Sequence, residues 1–99
     1  MLENFKGQYV MIRTRSAGVF CGTLVNFEKQ MVKLSKARRI WYWSGAASLS
    51  QLAMYGTKDP KNCKFPCEVS EIILPDVIEI IPVTKEAEKS IKSVKVWSA

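Results

Sequence analysis

Ninety-nine residues with 47% hydrophobic content make a single small domain, too apolar for disorder, and no apolar run is long enough to cross a bilayer. Fifteen basic residues against nine acidic ones leave a net charge of +6, which favours anionic partners. Histidine is absent, and with it the Ser-His and Cys-His pairs on which most nucleophilic catalysis depends.

The N-terminus, Met-Leu-Glu-Asn-Phe-Lys-Gly, holds no apolar stretch of signal-peptide length, so a cytoplasmic location is expected and a membrane partner is not. Cysteines Cys21, Cys63 and Cys67 are an odd count with no disulfide framework, as in a reducing compartment. Cys63 and Cys67 form a C-x3-C pair, but without histidine or a second pair the expectation is packed thiols, with no metal and no cofactor. Up to Tyr42 the acids are only Glu3 and Glu28, and all four arginines (Arg13, Arg15, Arg38 and Arg39) fall in this part. The asymmetry puts an anion site near an N-terminal sheet.

Gln8 to Arg15 alternates as a strand, with Val10, Ile12 and Thr14 on one face and Tyr9, Met11, Arg13 and Arg15 on the other. Ser16-Ala17-Gly18 is a turn signal. Val19 to Phe27 reads as a second strand, interrupted at Gly22 where a bulge or sharp bend is expected. After the polar turn Glu28-Lys29-Gln30, Met31 to Ser35 reads as a third strand and Arg38 to Trp43 as a fourth. Turns this short force neighbours to run antiparallel. The expectation is a mainly β (α+β) fold: a small antiparallel β-sheet or a partly open SH3/Sm-like barrel, with one or two short helices.

Ser44-Gly45-Ala46-Ala47 is a pivot without bulk. Ser48 is an N-cap for a helix over Leu49 to Tyr55, and Gly56 stands at the C′ position. Thr57 to Glu68 reads as a long irregular stretch stiffened by Pro60 and Pro66. Ile72 to Leu74 and Val77 to Val83 read as buried-strand candidates split by Pro75-Asp76, and Pro82 suggests that the second runs along an edge or ends there. Thr84 caps a helix over Lys85 to Lys92, whose polarity suggests a surface element. Val94, Val96 and Trp97 suggest a closing strand, with Trp97 docked on the body or on a neighbouring subunit.

The chain is organised around Ala37 to Leu52, where two arginines run into Trp41-Tyr42-Trp43. On a strand, Arg39, Trp41 and Trp43 share one face and Arg38, Ile40 and Tyr42 the other. Guanidinium groups beside large π-faces suit a planar anion, because arginine pairs with phosphate bidentately and both groups stack on bases. The plainer alternative is a hydrophobic strand with solvated arginines at its start. The candidate ligand-binding residues are Arg13, Arg15, Arg38, Arg39, Trp41, Trp43 and Ser48. Asn62, Lys64 and Phe65 join them on their chemistry alone.

Catalytic residues are not expected. The five glycines are scattered, with no phosphate loop, and Cys21 lies among apolar neighbours that do not activate a thiol. A compact nucleotide suits the short arginine cluster better than extended nucleic acid, which needs a long row of phosphate contacts. A structural role, with Trp41, Trp43 and Trp97 as subunit-interface anchors, is the third option.

The segment ARRIWYWSGAASLSQLA (Ala37 to Ala53), with Cys63-Lys64-Phe65 and the run Val77 to Val83, resembles a family of small phage-encoded anti-defence sponges directed against the Thoeris system. The resemblance implies a non-catalytic protein in the cytoplasm of the infected host cell that sequesters a signal nucleotide, a cyclic ADP-ribose isomer, between subunits. It also implies a possible second ligand class, cyclic oligonucleotides, and assembly as a homo-oligomer, a dimer or larger ring. The alternative is a single-stranded nucleic-acid-binding or structural phage β-domain.

Overall fold

Strand β1, Tyr9–Thr14, runs inside the sheet, and Tyr9-Val10-Met11-Ile12 is buried on both of its faces. In the computed structural model, which describes residues 1–99, a 3-10 turn at Leu2–Phe5 leads into it. Four strands follow: β2, Val19–Glu28; β3, Met31–Arg39; β4, Val69–Leu74; and β5, Val77–Pro82. Their order is β4-β3-β2-β1-β5, and every neighbouring pair is antiparallel. The mainly β architecture with short helices is the one the alternation and turns predict.

Only Pro75-Asp76 separates β4 from β5, yet these strands lie at opposite ends of the sheet order. A two-residue link can join them only if the sheet curls until its edges approach. Asp76 takes a positive φ of 58° at this corner. The Arg15 amide donates to the Asp76 carbonyl and the Val77 amide to the Gln30 carbonyl, each at 3.0 Å, so the link is tied to both β1 and the β2–β3 turn. The result is a partly open barrel.

The curl has a local cause. A Cβ on Gly22 would lie 3.1 Å from both the Ala37 Cα and the Ser35 carbonyl, so β3 crosses β2 closely only because glycine is there. Opposite it, β3 carries one extra residue between the Thr23–Ser35 and Cys21–Arg38 pairs, and Lys36 adopts φ 50°. The two strands expected over Met31 to Ser35 and Arg38 to Trp43 are therefore one bulged strand that ends at Arg39. The bend lies opposite Gly22, as expected, but the inserted residue is on β3.

The bulge also changes which side chains face which way. Val32 and Leu34 lie with Val10, Ile12, Phe20 and Leu24 in the barrel interior, and after Lys36 it is Ala37 that continues this face. Ile40 instead joins the outer cluster of Tyr9, Met11 and Cys21, which two helices cover. Helix α1, Leu49–Tyr55, is capped by the Ser48 Oγ, which accepts from the Gln51 amide at 3.1 Å, and Gly56 ends it at φ 79°. Helix α2, Lys85–Ser93, is capped by Thr84, whose Oγ1 accepts from the Ala87 amide and donates to the Met54 carbonyl at 2.7 Å, tying the helices together.

Three expectations are corrected. Helix α2 is more than a polar surface element: Ala87 and Ile91, four residues apart and so on one face, are fully buried. Burial of Ile91 alone contributes about 1.5–3 kcal/mol. Strand β5 lies at an edge of the sheet order and ends at Pro82, as that proline predicts, but neither it nor β4 is a buried strand: Ile73 and Ile78 are exposed, because a short apolar run does not reveal how much of it is covered. The C-terminal segment forms no strand; Val96 makes one isolated bridge to Phe65. No helix is long and apolar enough to cross a membrane.

Candidate functional site

The extra residue at Lys36 turns Arg38 to the helix side of the sheet, where it is only 5% exposed. Its Nε donates to the Pro66 carbonyl at 3.0 Å, Nη1 to Ile91 at 3.1 Å and Nη2 to Phe65 at 3.1 Å. No carboxylate lies within ion-pair distance; three backbone oxygens solvate the charge instead. Burial lowers its pKa from the ordinary arginine value. Arg38, expected as a ligand contact, is a clamp joining β3, α2 and the loop before β4. Phe65 is likewise corrected: it is fully buried beneath the Arg38 guanidinium, in the helix-side core.

Other expected contacts are occupied. Arg13 pairs with Glu79 at 2.9 Å on the neighbouring strand. Trp43 is half-buried against the helix-side core, and its Nε1 donates to the Ala46 carbonyl at 3.2 Å. The Ser48 hydroxyl is engaged in the cap of α1, and the Asn62 amide nitrogen donates to both Asp59 carboxylate oxygens, at 3.0 and 2.8 Å. Arg15 is exposed at the end of β1, beside the Pro75-Asp76 corner. Arg39 lies over the Phe20 ring, 4.4 Å from its centroid, with Nη1 donating to the Ala17 carbonyl. Because β3 ends at Arg39, the face expected to hold Arg39, Trp41 and Trp43 does not exist.

Of the ten candidates, Trp41 and Lys64 come together, and they do so with two residues outside that set, Tyr42 and Trp97. Tyr42 and Lys64 pair as a single antiparallel bridge, with amide-to-carbonyl distances of 3.2 and 2.8 Å. Buried Phe65 anchors the next position, and its carbonyl accepts from the Trp97 amide at 3.0 Å. The Trp41 and Trp97 rings stack with centroids 6.3 Å apart and planes 10° from parallel. The Lys64 ammonium sits 5.7 Å from the Trp97 ring centroid and 5.9 Å from that of Tyr42. Trp41 is 62% exposed and Trp97 45%, so open aromatic faces and Lys64, a cation without a carboxylate partner, share one surface. Such a surface can stack a planar ring and pair an anion beside it.

A polar knot holds the loop that presents Lys64. The Ser44 hydroxyl donates to Asp59, the Thr57 hydroxyl to the Ser44 carbonyl, and the buried Cys63 thiol contacts Ser44 and Thr57. Hydrogen bonds from Asn62, then from Ser44, hold the Asp59 carboxyl below its ordinary pKa. At the same crossing, a Cβ on Gly45 would sit 2.4 Å from the Asp59 amide. Burial pushes the Cys21 thiol and the Tyr9 phenol well above their ordinary values, so neither is a ready nucleophile or base. No group of His, Cys, Asp and Glu side chains is placed to hold a metal ion.

Alternation puts Tyr42 on the face opposite Trp41, but β3 ends at Arg39 and the alternation ends with it. Trp97 docks on the body, one of the two places expected for it: its amide donates to the Phe65 carbonyl and its ring packs on Trp41 at the surface.

A family model described as a domain of unknown function, DUF6948, matches residues 7–91. No curated protein matches the chain. Among solved structures, a heptameric archaeal Sm protein, described for its implications for the eukaryotic snRNP core, is similar at 19% identity and a TM-score of 0.55. The match covers 84% of this chain and 96% of that one. At that identity the likeness speaks to the fold, and it agrees with the partly open Sm-like barrel described above.

Proposed function

We propose that this protein, which belongs to the DUF6948 family, binds a nucleotide on the Trp41–Trp97 surface and holds it without cleaving it. The observation that carries the reading is the exposed indole pair beside Lys64. A base stacks on the rings, and its phosphate lies by the ammonium. The absence of histidine and the buried state of Cys21 support binding over catalysis. The sequence resemblance to Thoeris anti-defence sponges puts a cyclic ADP-ribose isomer first among ligands and a cyclic oligonucleotide second. On this reading the protein sequesters an immune signal in the cytoplasm of an infected host cell, and the identity of the signal rests on that resemblance.

A homo-oligomer, a dimer or larger ring, belongs to the same reading. Strands β4 and β5 are the two unlike edges of the sheet order, and unlike edges that meet head to tail generate a ring where the rotation between copies closes. The Sm protein of similar fold is a heptamer.

The test is to incubate purified protein with the candidate nucleotide, denature it by heat and analyse the supernatant. Intact ligand recovered in stoichiometric amount supports sequestration; a cleaved product overturns it. The second reading, single-stranded nucleic acid, draws on the same exposed rings, which can stack successive bases. Affinity for an oligonucleotide that falls steeply with salt favours it, because many counterions are then released. If no nucleotide or oligonucleotide raises the melting temperature, a structural phage domain is favoured.

A further inference from the structure

We propose that Arg39 and the cavity beside it form a second binding site, separate from the nucleotide surface, for a monocarboxylate on a small apolar body. The cavity measures about 160 Å³ and opens where β2, β3 and the start of β4 meet. Phe20, Ala37, Pro66, Val69 and Ile72 supply its apolar walls, and exposed Cys67 stands at its rim. Arg39 is the one charged group that lines it.

Its half-buried place distinguishes that guanidinium from Arg15 and Lys64, which also have no carboxylate partner but are exposed. Arg13, Lys33, Lys85 and Lys92 have carboxylate partners, and Arg38 has three carbonyls. Arg39 is half-buried over Phe20, has no carboxylate within ion-pair distance, and makes one side-chain hydrogen bond, from Nη1 to Ala17. Its other N–H groups are left for an incoming acceptor. A half-buried guanidinium among apolar walls gains most from a single compact negative charge that matches its fork.

The walls decide the ligand class. A phosphate needs donors around several oxygens, and here one side chain faces carbon, so a dianion would be left largely undersolvated. A carboxylate can use the fork bidentately, and its apolar body fills the cavity. A free aliphatic or aromatic acid and the C-terminal residue of a peptide share this chemistry.

The experiment is a two-dimensional NMR titration of the full chain with benzoate and isovalerate, following the Arg39 Nε–H and the backbone amides of Cys67 and Val69. Expected are saturable shifts of these signals with the acids and none with benzyl alcohol or isoamyl alcohol, their uncharged counterparts. N-acetyl-leucine binding more tightly than isovalerate assigns the site to a peptide C-terminus; the reverse assigns it to a free acid. Arg39→Met, which keeps Phe20 covered, should lower acid affinity at least about tenfold. Cys67→Trp, which leaves Arg39 intact and fills the rim, should do the same. Shifts equal for alcohol and acid, saturation by inorganic phosphate alone, or full binding by both variants would overturn the site. Nucleotide binding at Trp41 should be unchanged in both variants, so the two sites stand or fall separately.

Discussion

Arg38 Nη2 donates to the Phe65 carbonyl at 3.1 Å, and the same oxygen accepts the Trp97 amide at 3.0 Å. One backbone atom thus links a buried cation to the exposed indole pair, and the arginine that the sequence offers as a ligand contact acts instead as the support of the surface.

Arg38→Met should destabilise the fold by about 3 kcal/mol or more, because three carbonyls lose a charged donor in a buried setting. Urea unfolding with an unchanged m-value measures it. A loss smaller than about 1 kcal/mol would mean that water replaces the guanidinium at little cost.

Trp41→Ala should behave in the opposite way. Trp41 is mostly exposed, so stability should change by no more than about 1 kcal/mol, while nucleotide affinity falls at least about tenfold for want of a stacking face. Calorimetric titration beside a thermal melt reads both. Wild-type affinity in a normally folded variant would remove the indole pair from the site.

Gly45→Ala tests the knot behind Lys64. Gly45 sits at φ 82°, and its added Cβ would collide with the Lys58 and Asp59 backbone amides at 2.7 and 2.4 Å. A cost of about 2 kcal/mol or more is expected from the melt, since both the dihedral and the space are wrong for alanine. A variant as stable as the parent would show that the loop re-forms without the crossing.

Asp59 gives the fold an acid-sensitive element. Its pKa is lowered in the folded chain, first by Asn62 and then by Ser44, so the folded state favours the ionised form. The resulting stability is fully present above the ordinary aspartate value and is lost as pH falls through the lowered one. Between about pH 5 and about pH 2, the melting temperature of Asp59→Asn should therefore decline less steeply than that of the parent. Parallel declines would exclude Asp59 as a contributor.

Local signals carried a large part of the fold. Alternation placed β1, turn residues placed the β1–β2 and β2–β3 hairpins, Gly22 marked the bend, and Ser48 and Gly56 bounded α1. These were legible because each is a short-range preference of backbone or side chain. The Arg/Trp pattern also singled out the stretch that holds Trp41, whereas Lys64 entered the candidate set on its side-chain chemistry alone.

The Arg-Arg-Ile-Trp-Tyr-Trp stretch shows where that reasoning stops. The sequence by itself determined that cations and large rings would be concentrated there. Only the tertiary structure decided their roles, because one bulge residue, Lys36, sends Arg38 under α2 and Arg39 over Phe20, and the strand then ends. Trp41 meets Trp97 across 56 residues of chain, a pairing set by how the curled sheet and the Phe65 carbonyl bring two distant segments together. Periodicity assigns a face to a residue only while the strand stays regular, and long-range partners leave no trace in it.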